Sequence, residues 1–190
     1  RDRDADVRRF VLEQLREIKD LGMGPYFFVS SLEDPVEAHR QLALDTLKEL
    51  GHAEYVPEYL YVLRNDQGRG RAYAAEALGE FGEGAAVVHL VHTLYKVTLE
   101  IRAQKGTVAQ PLDGASVDTV GAGVVTVETP RIGMVDIGTT VTVPAGESLE
   151  LARNSAAWAL GKITGAEWGT DAKAWVDWWK SEGKAKFSAK

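Results

Sequence analysis

Residues 70–82 read GRAYAAEALGEFG, and residues 151–165 read LARNSAAWALGKITG. Both segments place apolar or small residues at positions i, i+3, i+4 and i+7, as a helix with one buried face requires. Two earlier segments have the same pattern: residues 6–18 (DVRRFVLEQLREI) and 37–51 (EAHRQLALDTLKELG). The sequence therefore predicts four amphipathic helices of one kind.

These four helices align column by column. An arginine column (Arg8, Arg40, Arg71 and Arg153) is followed by small residues (Val11, Ala43, Ala74 and Ala156), by leucines (Leu15, Leu47, Leu78 and Leu160) and by Ile18, Leu50, Phe81 and Ile163. Six residues before each arginine lies an oxygen-bearing side chain, from Asp2, Asp34, Asn65 and Glu147. We expect each arginine to lay its stem along the next repeat and to bind loop oxygens or this acidic column.

A second helix follows each of the first three openers after a glycine-containing turn. These helices are predicted from residues 25–33, 53–65 and 84–96. The interval from Arg8 to Arg40 is 32 residues and from Arg40 to Arg71 is 31. Helical pairs at a period in the thirties are typical of an α-solenoid, in which stacking hides the apolar faces. We therefore predict one all-α domain over residues 1–190, an α-α superhelix of about four helical pairs.

The end of the chain carries a more specific pattern. Residues 160–171 read LGKITGAEWGTD and are followed by Trp175, Trp178 and Trp179. This segment is similar to the closing motif of HEAT repeats of the bacterial, phycobilisome-lyase-like type, where a TG-x-x-(aromatic)-G-x-D turn leads into a W-x-x-W-W helix. The resemblance covers the chain except about residues 98–146. It implies a HEAT-like fold but leaves the function open, because such domains include scaffolds, chromophore lyases and DNA-repair glycosylases.

Residues 98–146 break the helical period. Alternating apolar residues (Val97, Leu99 and Ile101, then Val125 and Val127, then Val141 and Val143) are divided by turns rich in Gly, Pro and Asp. This pattern predicts an inserted β-hairpin or small sheet before the last repeat. A free strand edge there would accept a partner strand, and this suggests a homodimer through the insertion. We expect the three closing tryptophans to cap the solenoid and residues 183–190 to form a flexible tail.

Composition removes several classes of function. The formal net charge of −6 argues against a nucleic-acid-binding surface, and no apolar run is long enough for membrane insertion. The sequence has no cysteine, so thiolate metal sites and disulfides are excluded. The sequence begins at Arg1 rather than methionine; an extracytoplasmic or periplasmic location is compatible with both features, and the compartment stays undetermined.

The chain shows no catalytic motif. His89 and His92 have a spacing that can present two imidazoles to a metal, but no third ligand of a recognised pattern follows. We therefore expect no catalytic residue, metal or cofactor. Residues 68–72 (GRGRA) weakly resemble an anion-binding turn, but they lack the lysine and hydroxyl of a phosphate loop. Arg64 and Arg69 remain candidates for binding a carboxylate on a partner.

In stacked helical pairs the second helices line the concave side. The side chains left for this face are Tyr26, Glu58, Tyr61, Arg64, His89, His92 and Lys96. Tyrosine and arginine are favoured interface anchors because they combine contact area with directed hydrogen bonds. The sequence thus predicts a non-catalytic module or scaffold that binds another protein or peptide. The alternative is an accessory or enzyme domain of the HEAT-like lyase type that binds a small molecule or chromophore.

Overall fold

The computed structural model describes residues 4–104, 116–119, 124–128, 138–142 and 146–187. The eight longer helices of this part are α1 (Ala5–Ile18), α2 (Gly24–Glu33), α3 (Glu37–Leu50), α4 (Val56–Asn65), α5 (Arg69–Phe81), α6 (Val87–Gln104), α7 (Gly146–Thr164) and α8 (Ala172–Trp178). First and second helices alternate along the chain, which confirms the predicted helical repeat.

Short 3-10 turns and glycines mark the boundaries between the helices. The turns Leu21–Met23, His52–Tyr55 and Gly84–Ala86 lead into the second helices α2, α4 and α6. Gly51 and Gly82 end α3 and α5 with φ values of 106° and 71°. This left-handed conformation costs little without a Cβ atom, so glycine stops each helix and lets the chain turn back.

The beginning of α3 differs from what its local sequence suggests. Asp34, Pro35 and Glu37 read as a capping box with proline at the first helical position, but α3 begins at Glu37 and Val36 is its N-cap. The Asp34 carboxylate accepts a hydrogen bond from the Val36 backbone nitrogen at 3.0 Å. The aspartate therefore forms a local turn ahead of the helix, and its carboxylate also binds Arg8 of another repeat.

The small and leucine columns form the core. Ala43, Ala74 and Ala156 are fully buried, as are Leu47, Leu78 and Leu160. The closest helix packing joins a second helix to the next first helix (α2 with α3, α4 with α5, α6 with α7) and also joins α5 to α7. At Gly79 a Cβ atom would lie 2.8 Å from the Cβ atom of Ala159, so α5 and α7 approach almost backbone to backbone.

The arginine column binds as expected in three of its four members. Arg8 donates to both oxygens of the Asp34 carboxylate in the next repeat, at 2.9 and 3.2 Å. Arg40 donates to the Asp34 carbonyl at 2.9 Å, and Arg71 donates to the Asp66 carbonyl at 2.7 Å. Burial alone would raise the pKa of Asp34, but the hydrogen bonds from Arg8 and the Val36 nitrogen lower its pKa overall.

The interruption of the repeat begins later than predicted. Helix α6 continues to Gln104, so Val97, Leu99 and Ile101 belong to a helix and not to a strand. All three are buried, Val97 and Ile101 against Leu149 at the start of α7. The alternation in the sequence arose because α6 is covered on several sides. Residues 98–146 as a β-rich insertion are therefore not supported as stated.

Three short strands are described at the backbone level within the interrupting segment. They are β1 (Ser116–Thr119), β2 (Val124–Glu128) and β3 (Gly138–Thr142), paired antiparallel in the order β1-β2-β3. Val117 lies opposite Val127, and Val125 opposite Val141. A dimer through the edge of this sheet stays a prediction.

The tryptophans at the end of the chain form the expected hydrophobic cap. Trp175 is fully buried and Trp179 is 4% exposed, while Trp168 packs edge-on against Trp175 at 4.8 Å between ring centroids. A π-helical turn (Trp179–Gly183) leads into α9 (Lys184–Phe187). The ring centroids of Phe187 and Trp178 lie 6.0 Å apart. Residues 184–187 are therefore helical, and the flexibility of residues 183–190 stays a prediction. Residues 188–190 lie outside the described residues.

Candidate partner-binding surfaces

The side chains predicted to bind a partner lie on the second helices, α2, α4 and α6. Tyr26 of α2 is 41% exposed and Tyr61 of α4 is 60% exposed. Glu58 and Arg64 of α4 are also exposed. On α6, His89, His92 and Lys96 are half-buried. The face is therefore graded, with open aromatic and charged groups on α2 and α4 and a more enclosed stripe on α6.

The stripe on α6 is built by helical spacing. His89, His92, Lys96 and Glu100 recur every three or four residues and so share one side of the helix. The Glu100 carboxylate is only 2% exposed and lies 3.0 Å from Arg71 and 4.0 Å from Lys96. Arg71 comes from α5, where it was expected only as a member of the repeat column. One buried carboxylate is thus shared by two cations.

The electrostatics of the stripe are those of a positively charged region. Burial, and then the neighbouring Lys96, His89 and Arg71, together lower the pKa of His92 to about 4. Burial, and then Arg64, lower the pKa of His89. Burial and Arg71 lower the pKa of Lys96, against the pull of Glu100. Both imidazoles are consequently neutral at pH 7 and can donate or accept hydrogen bonds.

Four of the predicted residues form one cluster, which we call the α4–α6 cationic cluster: Arg64, His89, His92 and Lys96. The field of Arg64 reaches His89, and the field of Lys96 reaches His92. The Nε2 atom of His92 is buried and has no hydrogen-bond partner. No such interaction joins Tyr26 or Glu58 to the cluster among the described residues. Tyr61 precedes Arg64 by one helical turn and lies at its edge.

A second concave surface was not predicted. A groove of about 420 Å³ lies across the first helices α3, α5 and α7. Its aromatic lining is Tyr73 and Trp158, of which Trp158 is 45% exposed. The Arg40 guanidinium lies 3.9 Å from the centroid of the Tyr73 ring. We call this surface the first-helix groove.

Two carboxylates of α5 connect the helices that line the first-helix groove. Glu76 accepts a hydrogen bond from Ser155 at 2.7 Å. Glu80 pairs with Lys48 of α3 at 2.7 Å and with Lys162 of α7. Burial alone would raise the pKa of Glu80, but the two lysines lower its pKa overall. The sequence showed these glutamates only as ordinary surface carboxylates. The one available signal in the sequence was their spacing of four residues, which places both carboxylates on the same side of the alanine-rich helix α5.

Two histidine–carboxylate pairs occur away from these surfaces. His39 lies 3.2 Å from Asp34 and is 4% exposed, so this pair is closed to a substrate. His52 lies 3.2 Å from Glu83 and stacks on the Phe81 ring at 4.4 Å. Among the described residues no group of three or more His, Asp or Glu side chains can hold a metal ion. Within the same residues no helix combines the length and apolar character needed to cross a bilayer.

Comparison with known proteins identifies the repeat itself. Residues 70–95, which cover α5 and the first half of α6, match the family model described as PBS lyase HEAT-like repeat. The chain thus contains a HEAT-like repeat, in agreement with the resemblance noted from the sequence. No curated protein and no solved structure matches the chain.

Proposed function

We propose that this chain is a non-catalytic protein-interaction module that takes a segment of a partner protein on its second-helix face. The observation that carries the proposal is the exposure of Tyr61, 60%, and of Tyr26, 41%, on helices whose opposite sides are buried in a closed core. The Tyr26 ring meets the buried Phe27 ring edge-on at 6.3 Å between ring centroids, and the rest of its surface stays open. Large, rigid side chains left open on a fixed frame are the usual anchors of a protein interface.

The rest of the face supports this use. Tyr59 and Leu63 hold α4 in the core, at 0% and 1% exposure, so the exposed side of that helix has a defined position. Arg64 donates to the Leu60 carbonyl of its own helix at 3.1 Å and leaves the rest of its guanidinium open. A preorganised face loses little side-chain freedom on binding, which favours affinity.

His39 and His92 are poorly suited to general-base catalysis. A general base needs an orienting partner and an accessible reacting position. His39 has the partner but is buried, and His92 is only half-buried but has no hydrogen bond to its Nε2 atom. The pKa of His92, about 4, leaves it a weak base. A role in presenting charge and hydrogen bonds suits these groups better than proton transfer.

Co-purification with the wild-type chain and with surface variants tests the proposal. Tyr61→Ala combined with Arg64→Glu should abolish recovery of a partner, because these two side chains are exposed and make no core contact. The matched control is Lys180→Glu, which reverses an exposed charge on the far end of the chain. If the double variant retains the partner, the second-helix face is the wrong surface.

The first-helix groove favours a second candidate, binding of a small molecule. Its volume of about 420 Å³ lies within the range of ligand pockets, and Tyr73 and Trp158 supply aromatic surface there. This candidate corresponds to the accessory or lyase-like alternative. It predicts that ligand binding quenches tryptophan fluorescence in the wild type but much less in Trp158→Phe. If Trp158→Phe is quenched as strongly as the wild type, the first-helix groove is not the binding site.

A further inference from the structure

The distribution of charge on the second-helix face is opposite to that of the whole chain. The chain carries a formal net charge of −6. The α4–α6 cationic cluster nevertheless brings Arg64 and Lys96 beside His89 and His92, and Arg71 lies behind them. Glu100 is the one carboxylate shown to lie within this set in the described part of the chain, and it is already bound by Arg71 at 3.0 Å.

The cations of this cluster are only partly compensated. Lys96 is 4.0 Å from Glu100, at the limit of an ion pair, and its side chain is 17% exposed. Arg64 makes its hydrogen bond to a backbone carbonyl and not to a carboxylate. A positive charge that is partly removed from water and lacks a full counter-ion is stabilised when an anion binds, because the anion replaces the lost solvation.

A hydrogen-bonding group accompanies the charge. The Nε2 atom of His92 is buried without a partner, one helical turn from Lys96. Buried polar atoms are nearly always satisfied in folded proteins, and an exception needs an explanation. An acceptor oxygen that enters at the partly exposed Lys96 would pair with its charge, and a rotation of the His92 ring would let Nε2 donate to the same oxygen.

We propose that the α4–α6 cationic cluster docks an acidic segment of the partner protein, with an aspartate or glutamate carboxylate held between Lys96 and His92 and a second acidic group near Arg64. This inference rests on the proposed function and names the chemistry of the partner. Tyr61 lies beside the cluster and would pack against the apolar part of the same segment. Charge complementarity selects an acidic segment over a basic one, because Lys96 and Arg64 would repel the latter.

The site also carries its own reporter. An anion beside His92 favours the protonated imidazole, so binding must raise the apparent pKa of that histidine. Removal of the Lys96 charge must raise the same pKa in the free protein and weaken the response to an acidic ligand. If Lys96 had only a structural role, removing its charge would change stability but would not change both the pKa of His92 and the response to an acidic ligand.

A hexaglutamate peptide and a hexaglutamine peptide are the probes, added to the full chain at low ionic strength. Histidine ring shifts followed by NMR across pH give the pKa of His92, and calorimetry gives the affinity. We expect hexaglutamate alone to bind and to raise the pKa of His92. Lys96→Met, which keeps the apolar stem, and Arg64→Gln, at an exposed position, should each weaken binding about tenfold or more, whereas Lys180→Gln should leave it unchanged.

Three results would overturn the inference. They are equal binding of the two peptides, unchanged affinity in both Lys96→Met and Arg64→Gln, and inorganic phosphate binding as tightly as the peptide, which would indicate a small-anion site instead of a docking surface. The proposed function can fail separately. If hexaglutamate does not bind but a partner is still lost on Tyr61→Ala, the module binds protein through other chemistry.

Discussion

Loss of the buried ion pair between Arg71 and Glu100 should destabilise the repeat strongly. Both side chains are 2% exposed and their charged atoms lie 3.0 Å apart. Removing one partner of such a pair typically costs about 3–5 kcal/mol, because the remaining charge stays buried without compensation. In Glu100→Gln the new amide keeps an acceptor oxygen, and Arg71 keeps its 2.7 Å bond to the Asp66 carbonyl. We therefore expect a loss near the lower end, about 3 kcal/mol.

Urea unfolding followed by tryptophan fluorescence measures this change. For a domain of this size a loss of about 3 kcal/mol corresponds to a decrease in Tm of roughly 6–12 °C. The matched control is Asp177→Asn, which breaks a pair with Lys173 whose side chains are 53% and 57% exposed. Such exposed pairs contribute little, so this control should remain within about 0.5 kcal/mol of the wild type.

A double substitution separates charge burial from packing. Replacing Arg71 and Glu100 together by methionine and leucine removes both charges, and such exchanges are often neutral or even stabilising. The double variant should be more stable than Glu100→Gln, although the Asp66 carbonyl loses its donor at a cost of about 1 kcal/mol. A loss below 1 kcal/mol in Glu100→Gln, or a double variant no better than the single one, would refute this account of the pair.

Three further predictions concern packing and pH. Gly79→Ala should destabilise by about 1 kcal/mol, since a Cβ atom 2.8 Å from the Ala159 Cβ costs more than the roughly 1 kcal/mol of helix propensity it adds; a more stable variant in urea would contradict the close approach of α5 and α7. The pKa of His92 is lowered from 6.5 to about 4, so the unfolded chain binds more protons than the folded chain between these pH values. The free energy of unfolding must therefore decrease as the pH falls through this window, by up to about 3 kcal/mol. Denaturation at several pH values should show a shallower decrease in His92→Gln, and an unchanged slope would rule out this origin. Trp175→Ala, which loses a fully buried ring and its 2.9 Å bond to the Gly169 carbonyl, should cost about 3–5 kcal/mol; retention of the near-ultraviolet circular dichroism and Tm would show that Trp175 does not seal the end of the solenoid.

The repeat could be predicted from the sequence because every repeat must satisfy the same packing constraints. Ala43, Ala74 and Ala156 must be small where helices meet, and the leucines four positions later must fill the same layer in each repeat. Coincidence of independent columns therefore marks the fold. The same logic identified the Trp175 cap, since an open solenoid end needs a large apolar cover.

Errors arose where contacts between repeats overrode the local sequence pattern. Helix α6 runs to Gln104 although Val97, Leu99 and Ile101 alternate like a strand. A helix covered by neighbours on several sides loses its amphipathic pattern, so periodicity no longer distinguishes it from a strand. In the same way Asp34 reads locally as a helix cap, while Arg8 from another repeat decides its role.

The predicted binding residues were placed on the second helices by topology alone. Their pattern on the sequence could assign them to one face, but it could not show that Arg71 enters from α5 to bind Glu100 behind Lys96. The first-helix groove was missed for a related reason. Its lining comes from the four helices α2, α3, α5 and α7. Glu80 has no distinguishing neighbour in sequence, because Lys48 and Lys162 approach it only in the folded chain.

By itself the sequence determined the helical repeat, its register, its glycine turns and its aromatic end, because all of these depend on local periodicity and on side-chain size. Only the tertiary structure decided which charges are buried, which are paired and which remain open between His92, Lys96 and Arg64. The physical reason is that solvation and Coulomb energies depend on distances between segments far apart in the chain, and no local pattern encodes those distances.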